Sequence, residues 1–166
     1  TDSINPYWDD LPYRDVIAAA EWIKQQPWID ANRMVAGGGS YGGYLTSVIL
    51  GRPHPFKALV AHAAVYNLYT QVAADFGIEI PRFGSFWTPE QQAVFKQTSP
   101  HYGAANFNTP TLVVHGQRDL RVPVNHGIEL YHALQQKGVP SRLLYFPDEN
   151  HWVLKPANSL TWYREV

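Results

Sequence analysis

Seven residues, Gly37-Gly38-Gly39-Ser40-Tyr41-Gly42-Gly43, constrain this chain more than any others. They follow a short apolar run, Arg33-Met34-Val35-Ala36, that reads as a buried strand. They precede Tyr44-Leu45-Thr46-Ser47-Val48-Ile49-Leu50, which reads as a helix. Gly38-x-Ser40-x-Gly42 between a strand and a helix is the setting of a nucleophile elbow, where a serine sits on a sharp turn with its oxygen clear of the backbone. The residues two before and two after are expected to be small, because strand and helix nearly touch there. Glycine has no Cβ to collide and tolerates positive φ.

The same letters admit rivals. Gly37-x-Gly39-x-x-Gly42 matches a dinucleotide-binding fingerprint, which also lies between strand and helix. That fingerprint needs an acid about 20 residues later to hold a ribose hydroxyl. No Asp or Glu occurs from Tyr41 to Ala74. A phosphate-binding loop would require Lys and Ser or Thr after Gly43, where Tyr44 and Leu45 stand. Met34 to Gly51 is uncharged, but its glycines and strand-then-helix pattern make a poor membrane span.

Around this stretch, short apolar runs alternate with helical periodicity. Asp9-Asp10-Leu11-Pro12 reads as a helix start with a capping acid, and Val16, Ile17, Ala20 and Ile23 recur at helical spacing to about Gln26, where Pro27 stops the helix. Further strands are expected at Lys57–Ala63, Thr111–His115 and Arg142–Phe146. Helices are expected from about Val124 to Lys137, closed by Gly138 and Pro140, and from about Pro156 to the end. Such alternation implies an α/β fold with a mostly parallel sheet and flanking helices. The 166 residues, 45% hydrophobic, suit one domain with a real core. Tyr66 to Asn108 is too long for a plain crossover and dense in aromatics, including Tyr66, Tyr69, Phe76, Phe83, Phe86, Trp87, Phe95, Tyr102 and Phe107. It reads as a helical excursion that also walls a substrate pocket.

A serine hydroxyl is a weak nucleophile without a base, and the base needs an acid to hold its tautomer. On an elbow fold the chain order is Ser, then Asp or Glu, then His, each in a loop after a strand. Asp119, in His115-Gly116-Gln117-Arg118-Asp119, and His151, in Pro147-Asp148-Glu149-Asn150-His151, meet that requirement with Ser40. Asp148 and Glu149 lie too close to His151 in sequence to reach the far side of its ring, so a hydrogen-bonded turn is their expected task. His115 is expected to be a satisfied core residue, and His62, ending a strand near the rim, is a candidate for the pocket. Tyr41, following the nucleophile, would supply one backbone N–H of an oxyanion hole. The second donor belongs to a loop after an earlier strand, which these residues do not contain.

Other chemistries find no support. The net charge of −1 and the absence of a basic run argue against a nucleic-acid partner. No signal-peptide pattern or lipidation motif is present, so no membrane partner is expected. There is no cysteine, hence no disulfide and no thiol catalysis. No His-Glu-x-x-His or comparable ligand set occurs, and neither a metal nor another cofactor is expected.

Gly39-Ser40-Tyr41-Gly42-Gly43-Tyr44, then His115-Gly116-x-x-Asp119-x-Arg121-Val122-Pro123, then Glu149-Asn150-His151 together resemble the catalytic domain of the prolyl oligopeptidase family of serine peptidases. Pro147 to Pro156 is most similar to the dipeptidyl-peptidase V and acylaminoacyl-peptidase branch, and Asp30-Ala31-Asn32-Arg33-Met34 also fits. The resemblance implies Ser40 as nucleophile, Asp119 as orienting acid and His151 as base. It also implies Val65, Tyr66 and, less directly, Tyr69 at the pocket for the side chain before the cut.

By the same resemblance, residues 1–166 form the C-terminal half of an α/β-hydrolase fold. The family's N-terminal strands, β-propeller and second oxyanion donor would lie elsewhere in the protein, and that N-terminal segment is the expected partner. A short peptide is the expected substrate, cut through an acyl-enzyme. An oligomer is left open, and the resemblance leans towards a periplasmic location. Two other readings stand beside this one. One is a carboxylesterase or lipase on the same fold. The other is a fragment inactive without its N-terminal part, whose open sheet edge invites association.

Overall fold

The computed structural model describes residues 4, 8–75 and 85–166. The chain opens with helix α1, Leu11–Ile23, and then alternates: β1 Val35–Gly39, α2 Tyr41–Leu50, β2 Ala58–His62. A helical excursion follows, with α3 Leu68–Gln71, α4 Pro89–Thr98 and a 3₁₀ segment Pro100–Asn106. Alternation resumes with β3 Thr111–Gly116, α5 Asn125–Gln136, β4 Ser141–Phe146 and α6 Pro156–Glu165. Phe76 and Phe83 of the expected aromatic excursion lie outside the described residues.

The strands form one four-stranded sheet in the order β1-β2-β3-β4, every pair parallel. All strands therefore run the same way, and their carboxyl ends share one rim. Gly39 pairs with His62, His62 with Val114, and Gly116 with Phe146, which fixes the heights of the loops that leave that rim. The main core lies where α2 and α5 cover the sheet. It holds Ile49, Leu50, Leu59, Ala61, Val113, Leu130 and Leu134, closed by Tyr66 and Phe107 from the excursion. A second cluster, Tyr44, Val48, Val65, Leu68, Phe95 and Val122, ties α2 to the excursion and to the loop after β3.

Several expectations need correcting. The strand before the elbow is not buried. It is the edge of the sheet among the described residues, hydrogen-bonded on one side only, and Val35 is 57% exposed. Helix α1 ends at Ile23 rather than near Gln26: the Lys24 N–H bonds back to Ala20 and Trp22, and turns occupy the residues before Pro27. Asp10 makes no side-chain cap. Its neighbour Asp9 is buried and pairs with Arg52 at the far end of α2, which pins α1 to α2. Gly138 behaves as expected: at φ +67° it takes the left-handed conformation that ends α5.

A buried imidazole beneath the rim ties elements together. His126 on α5 accepts, at Nδ1, the N–H groups of Tyr66 (3.0 Å) and Asn67 (3.1 Å), so it holds the start of the excursion as a neutral ring. Burial first, then the nearby His115, pushes its pKa down to about 3. An imidazole kept neutral in the fold but free to protonate when unfolded stabilises the fold fully above pH 6.5, and that stabilisation is lost as pH falls from 6.5 towards 3. Stability is therefore expected to drop on acidification below 6.5, by roughly 1.4 kcal/mol per pH unit from His126. Denaturant midpoints at pH 7.5 and 5 check this; equal midpoints would contradict it.

Candidate active site

Ser40 stands at the junction of β1 and α2 with φ 58° and ψ −119°, a conformation that a residue bearing a Cβ rarely adopts. Such a backbone costs about 1–3 kcal/mol and persists only where its surroundings hold it. Here they do: the Ser40 N–H donates to the His62 carbonyl at 3.0 Å, and the Ser40 carbonyl accepts from the Tyr44 N–H at 2.9 Å. At a helix N-terminus a serine oxygen usually caps the backbone. Ser40 does not, so its hydroxyl is not spent on the helix.

The glycines make this turn possible, though not all as expected. A Cβ on Gly38 would lie 2.5 Å from the Gly42 backbone, so strand and helix do nearly touch. A Cβ on Gly42 itself would meet open space, whereas one on Gly43 would lie 2.7 Å from the His62 carbonyl. The second place that demands a small residue is therefore three after the serine, not two. It faces Ala63–Ala64, where the chain leaves β2 with Ala63 at φ 43°.

Asp119 lies three residues beyond β3 and is buried. Its Oδ1 accepts the N–H groups of Arg121 (2.9 Å) and Val122 (2.8 Å). Its Oδ2 lies 2.8 Å from Nδ1 of His151, five residues beyond β4. A carboxylate only accepts, so Nδ1 carries the proton and the neutral ring leaves Nε2 with a free lone pair. Ser40 and His151 line one cavity of about 730 Å³, with Asp75, Arg118, Leu120, Arg121, Asn150 and Trp152. The structure thus joins Asp119 to His151 and sets Ser40 with His151 on one cavity at the rim.

The two loops are stitched together. Gln117 N–H donates to Phe146 O (2.8 Å), and Arg118 N–H to Glu149 O (2.9 Å). Gly116 permits this approach: a Cβ there would run into the backbone oxygens of Asn150 and Glu149, the latter at 2.6 Å. Glu149 anchors the His151 loop from within, accepting from the N–H groups of Leu154 and Lys155 and from the Asn158 amide. Desolvation raises its pKa, but those hydrogen bonds outweigh it and hold the carboxyl below its ordinary value. Asp148 pairs with Lys155 and accepts from Asn158, the turn role expected of it. Asn150 Oδ1 accepts the Trp152 N–H at 2.9 Å, an Asx turn that presents His151 and Trp152 together.

Behind the rim, His115 is buried on β3 and is only half satisfied. Its Nε2–H donates to the Val122 carbonyl at 2.8 Å, while Nδ1 has no partner among the described residues, beneath Gly127 of α5. His62 lies nearby, its pKa pushed down to about 4 by burial, with smaller contributions from His115 and His151. It is not among the residues lining the cavity at Ser40.

The residues expected at the substrate side chain differ in their exposure. Val65 and Tyr66 are buried in the two core clusters, because the chain turns into the excursion at this point and needs apolar anchors there. Tyr69 is partly exposed and packs on Phe95 with ring centroids 4.9 Å apart. None of the three lines the cavity at Ser40. The cavity wall built by Asp75, Arg118, Leu120, Arg121, Asn150 and Trp152 was missed from the sequence. Its signal was there: two arginines flank Asp119 and a tryptophan follows His151, in loops already placed at strand ends. The Tyr41 N–H opens α2 at its positive end beside Ser40.

A family model described as the prolyl oligopeptidase family matches residues 1–166. Dipeptidyl-peptidase 5 of Schizosaccharomyces pombe is 41% identical over 172 residues, covering 100% of this chain and 25% of that protein. The Dipeptidyl-peptidase 5 of Arthroderma otae is 39% identical over 171 residues, covering 100% and 24%. Among solved structures, Porphyromonas gingivalis dipeptidyl peptidase 4 superposes with a TM-score of 0.82 at 30% identity, over 95% of this chain and 22% of that one. A Mycobacterium tuberculosis puromycin-hydrolyzing peptidase reaches 0.84 at 25% identity, over 94% and 24%. The chain therefore spans about a quarter of the length of the curated relatives it matches.

Proposed function

This chain belongs to the prolyl oligopeptidase family, and on that premise we propose that it carries the reacting groups of a serine peptidase that cleaves short peptides through an acyl-enzyme. The carrying observation is the 2.8 Å contact of His151 Nδ1 with Asp119 Oδ2, on the rim where Ser40 stands in its strained turn. Ser40 Oγ attacks the scissile carbonyl carbon and passes its proton to His151 Nε2. The Tyr41 N–H faces the oxyanion. Collapse breaks the C–N bond, and His151 returns that proton to the leaving amine. Water, deprotonated by His151, then opens the Ser40 ester, releasing the acid and restoring the hydroxyl.

Val65, Tyr66 and Tyr69 remain our candidates for the pocket of the side chain before the cut; Tyr69 alone of the three is partly exposed, and Val65 and Tyr66 would support it from the core. We also assign the open edge of β1 to a strand from an N-terminal segment of the same protein. Support comes from an apolar groove of about 510 Å³ beside that edge, lined by Val16, Ala20, Ile23, Met34, Val35 and Phe56. The same segment would bring the second oxyanion donor.

A fluorophosphonate probe applied to the full-length protein is expected to attach to the peptide that contains Ser40. A folded protein that stays unlabelled would sink the assignment. Turnover of short-chain esters with none of peptide anilides would move it to the esterase reading, since the acyl-enzyme chemistry is common to both.

A further inference from the structure

The cavity at Ser40 has a wall that the bond-breaking steps leave unused. Arg118 and Trp152 line it together with His151, one in the Asp119 loop and one directly after the base. Arg121 on the same wall is already engaged: its Nε lies 3.0 Å from Asp75 Oδ1, and its carbonyl accepts from Gln71 Nε2 at 2.7 Å. Arg118 differs. Its backbone is fixed by the 2.9 Å bond to Glu149 O, and its side chain is exposed. Among the described residues no carboxylate pairs with it. Asp75 is taken by Arg121 and the Asp119 carboxylate faces inward, so among the described residues the Arg118 guanidinium on this wall is uncompensated. Trp152 is 64% exposed, and its ring stands nearly perpendicular to that of His151, 74° with centroids 5.4 Å apart.

Resting on the peptidase reading above, we propose that Arg118 and Trp152 form a subsite on the leaving side of the substrate, which takes a residue carrying a carboxylate beside an apolar side chain. The side follows from the chemistry. His151 hands its proton to the leaving amine, so the released residue lies against His151 and whatever flanks it. A guanidinium offers two parallel N–H groups to a carboxylate. The exposed indole gives an apolar side chain a flat surface to cover. The carboxylate has two possible sources: the free C-terminus of a substrate that ends one residue past the cut, or an acidic side chain at that residue.

The test uses the full-length protein and a dipeptide whose anilide it turns over. That dipeptide is extended by leucine with a free carboxylate, by leucine amide, by glutamate amide and by glutamine amide. The free acid is expected to exceed its amide about tenfold in kcat/KM, the margin of one charge-assisted hydrogen-bonded pair. Arg118→Ala is expected to bring that ratio near one, and Arg118→Lys to keep part of it. A preference for glutamate amide over glutamine amide would place the carboxylate on the side chain instead, with the same dependence on Arg118. In Trp152→Ala the preference for leucine over glycine at the leaving residue is expected to fall. Ratios of one for both carboxylate pairs in the unaltered protein, or ratios that survive Arg118→Ala, would overturn the subsite and leave the peptidase reading standing. No anilide turnover together with no labelling of Ser40 would overturn both.

Discussion

Asp119→Asn is expected to lower kcat by about 10⁴-fold while leaving the protein folded. The reason lies in what each oxygen of Asp119 accepts. Oδ1 takes two backbone N–H groups, from Arg121 and Val122, and Oδ2 faces His151 Nδ1. An asparagine must turn its NH₂ towards one of these. Facing two N–H donors it would collide with both, so the carbonyl keeps the Oδ1 place and the NH₂ meets Nδ1. His151 then accepts at Nδ1 and carries its proton on Nε2, which can no longer take the proton of Ser40. The measurement is kcat on a peptide anilide beside a denaturant midpoint. A fall below tenfold with an unchanged midpoint would show that Asp119 does not set the tautomer of His151.

Gly116→Ala, at a residue with no side chain to take part in the chemistry, is expected to cost about 100-fold in kcat, on the scale of a 1 Å misplacement of catalytic groups. The added methyl would press on the Glu149 and Asn150 carbonyls, which are backbone and cannot rotate away. The loops must part, stretching the Gln117–Phe146 and Arg118–Glu149 bonds and with them the contact between Asp119 and His151. Overpacking of this kind also lowers stability by about 1–3 kcal/mol. Parallel measurement of kcat and the denaturant midpoint separates the two effects. A kcat within threefold of the parent would mean that the loops can shift without losing the site.

The legible parts of this chain were those governed by local rules. Alternating apolar runs placed β2, β3, β4, α5 and α6 within a residue or two, because burial on a parallel sheet leaves a strong pattern. The placement of Ser40, Asp119 and His151 at one rim was legible because each follows a strand end. What escaped depends on neighbours distant in sequence. Val35 looks like core in its own window but lies on a sheet edge. Gly42 looked essential by spacing, yet Gly43 is the one pressed against the end of β2. Val65 and Tyr66 looked like pocket walls but are core anchors, since the point where the excursion begins is held by His126 on α5, about 60 residues further on. Arg118 and Trp152 were visible as letters; only the packing of their loops shows that they share a wall.

The sheet order matches the chain order. Each strand therefore needs only the strand made just before it, and this part of the fold can be laid down progressively as the polypeptide leaves the ribosome. Ser40, Asp119 and His151 arrive in that sequence, and the loop after β4 delivers His151 last. A nascent chain that has reached α5 already holds Ser40 and Asp119 but not His151. On the peptidase reading proposed above, translation would then set when the site is complete: Ser40 would lack its base until β4 and the loop after it have docked.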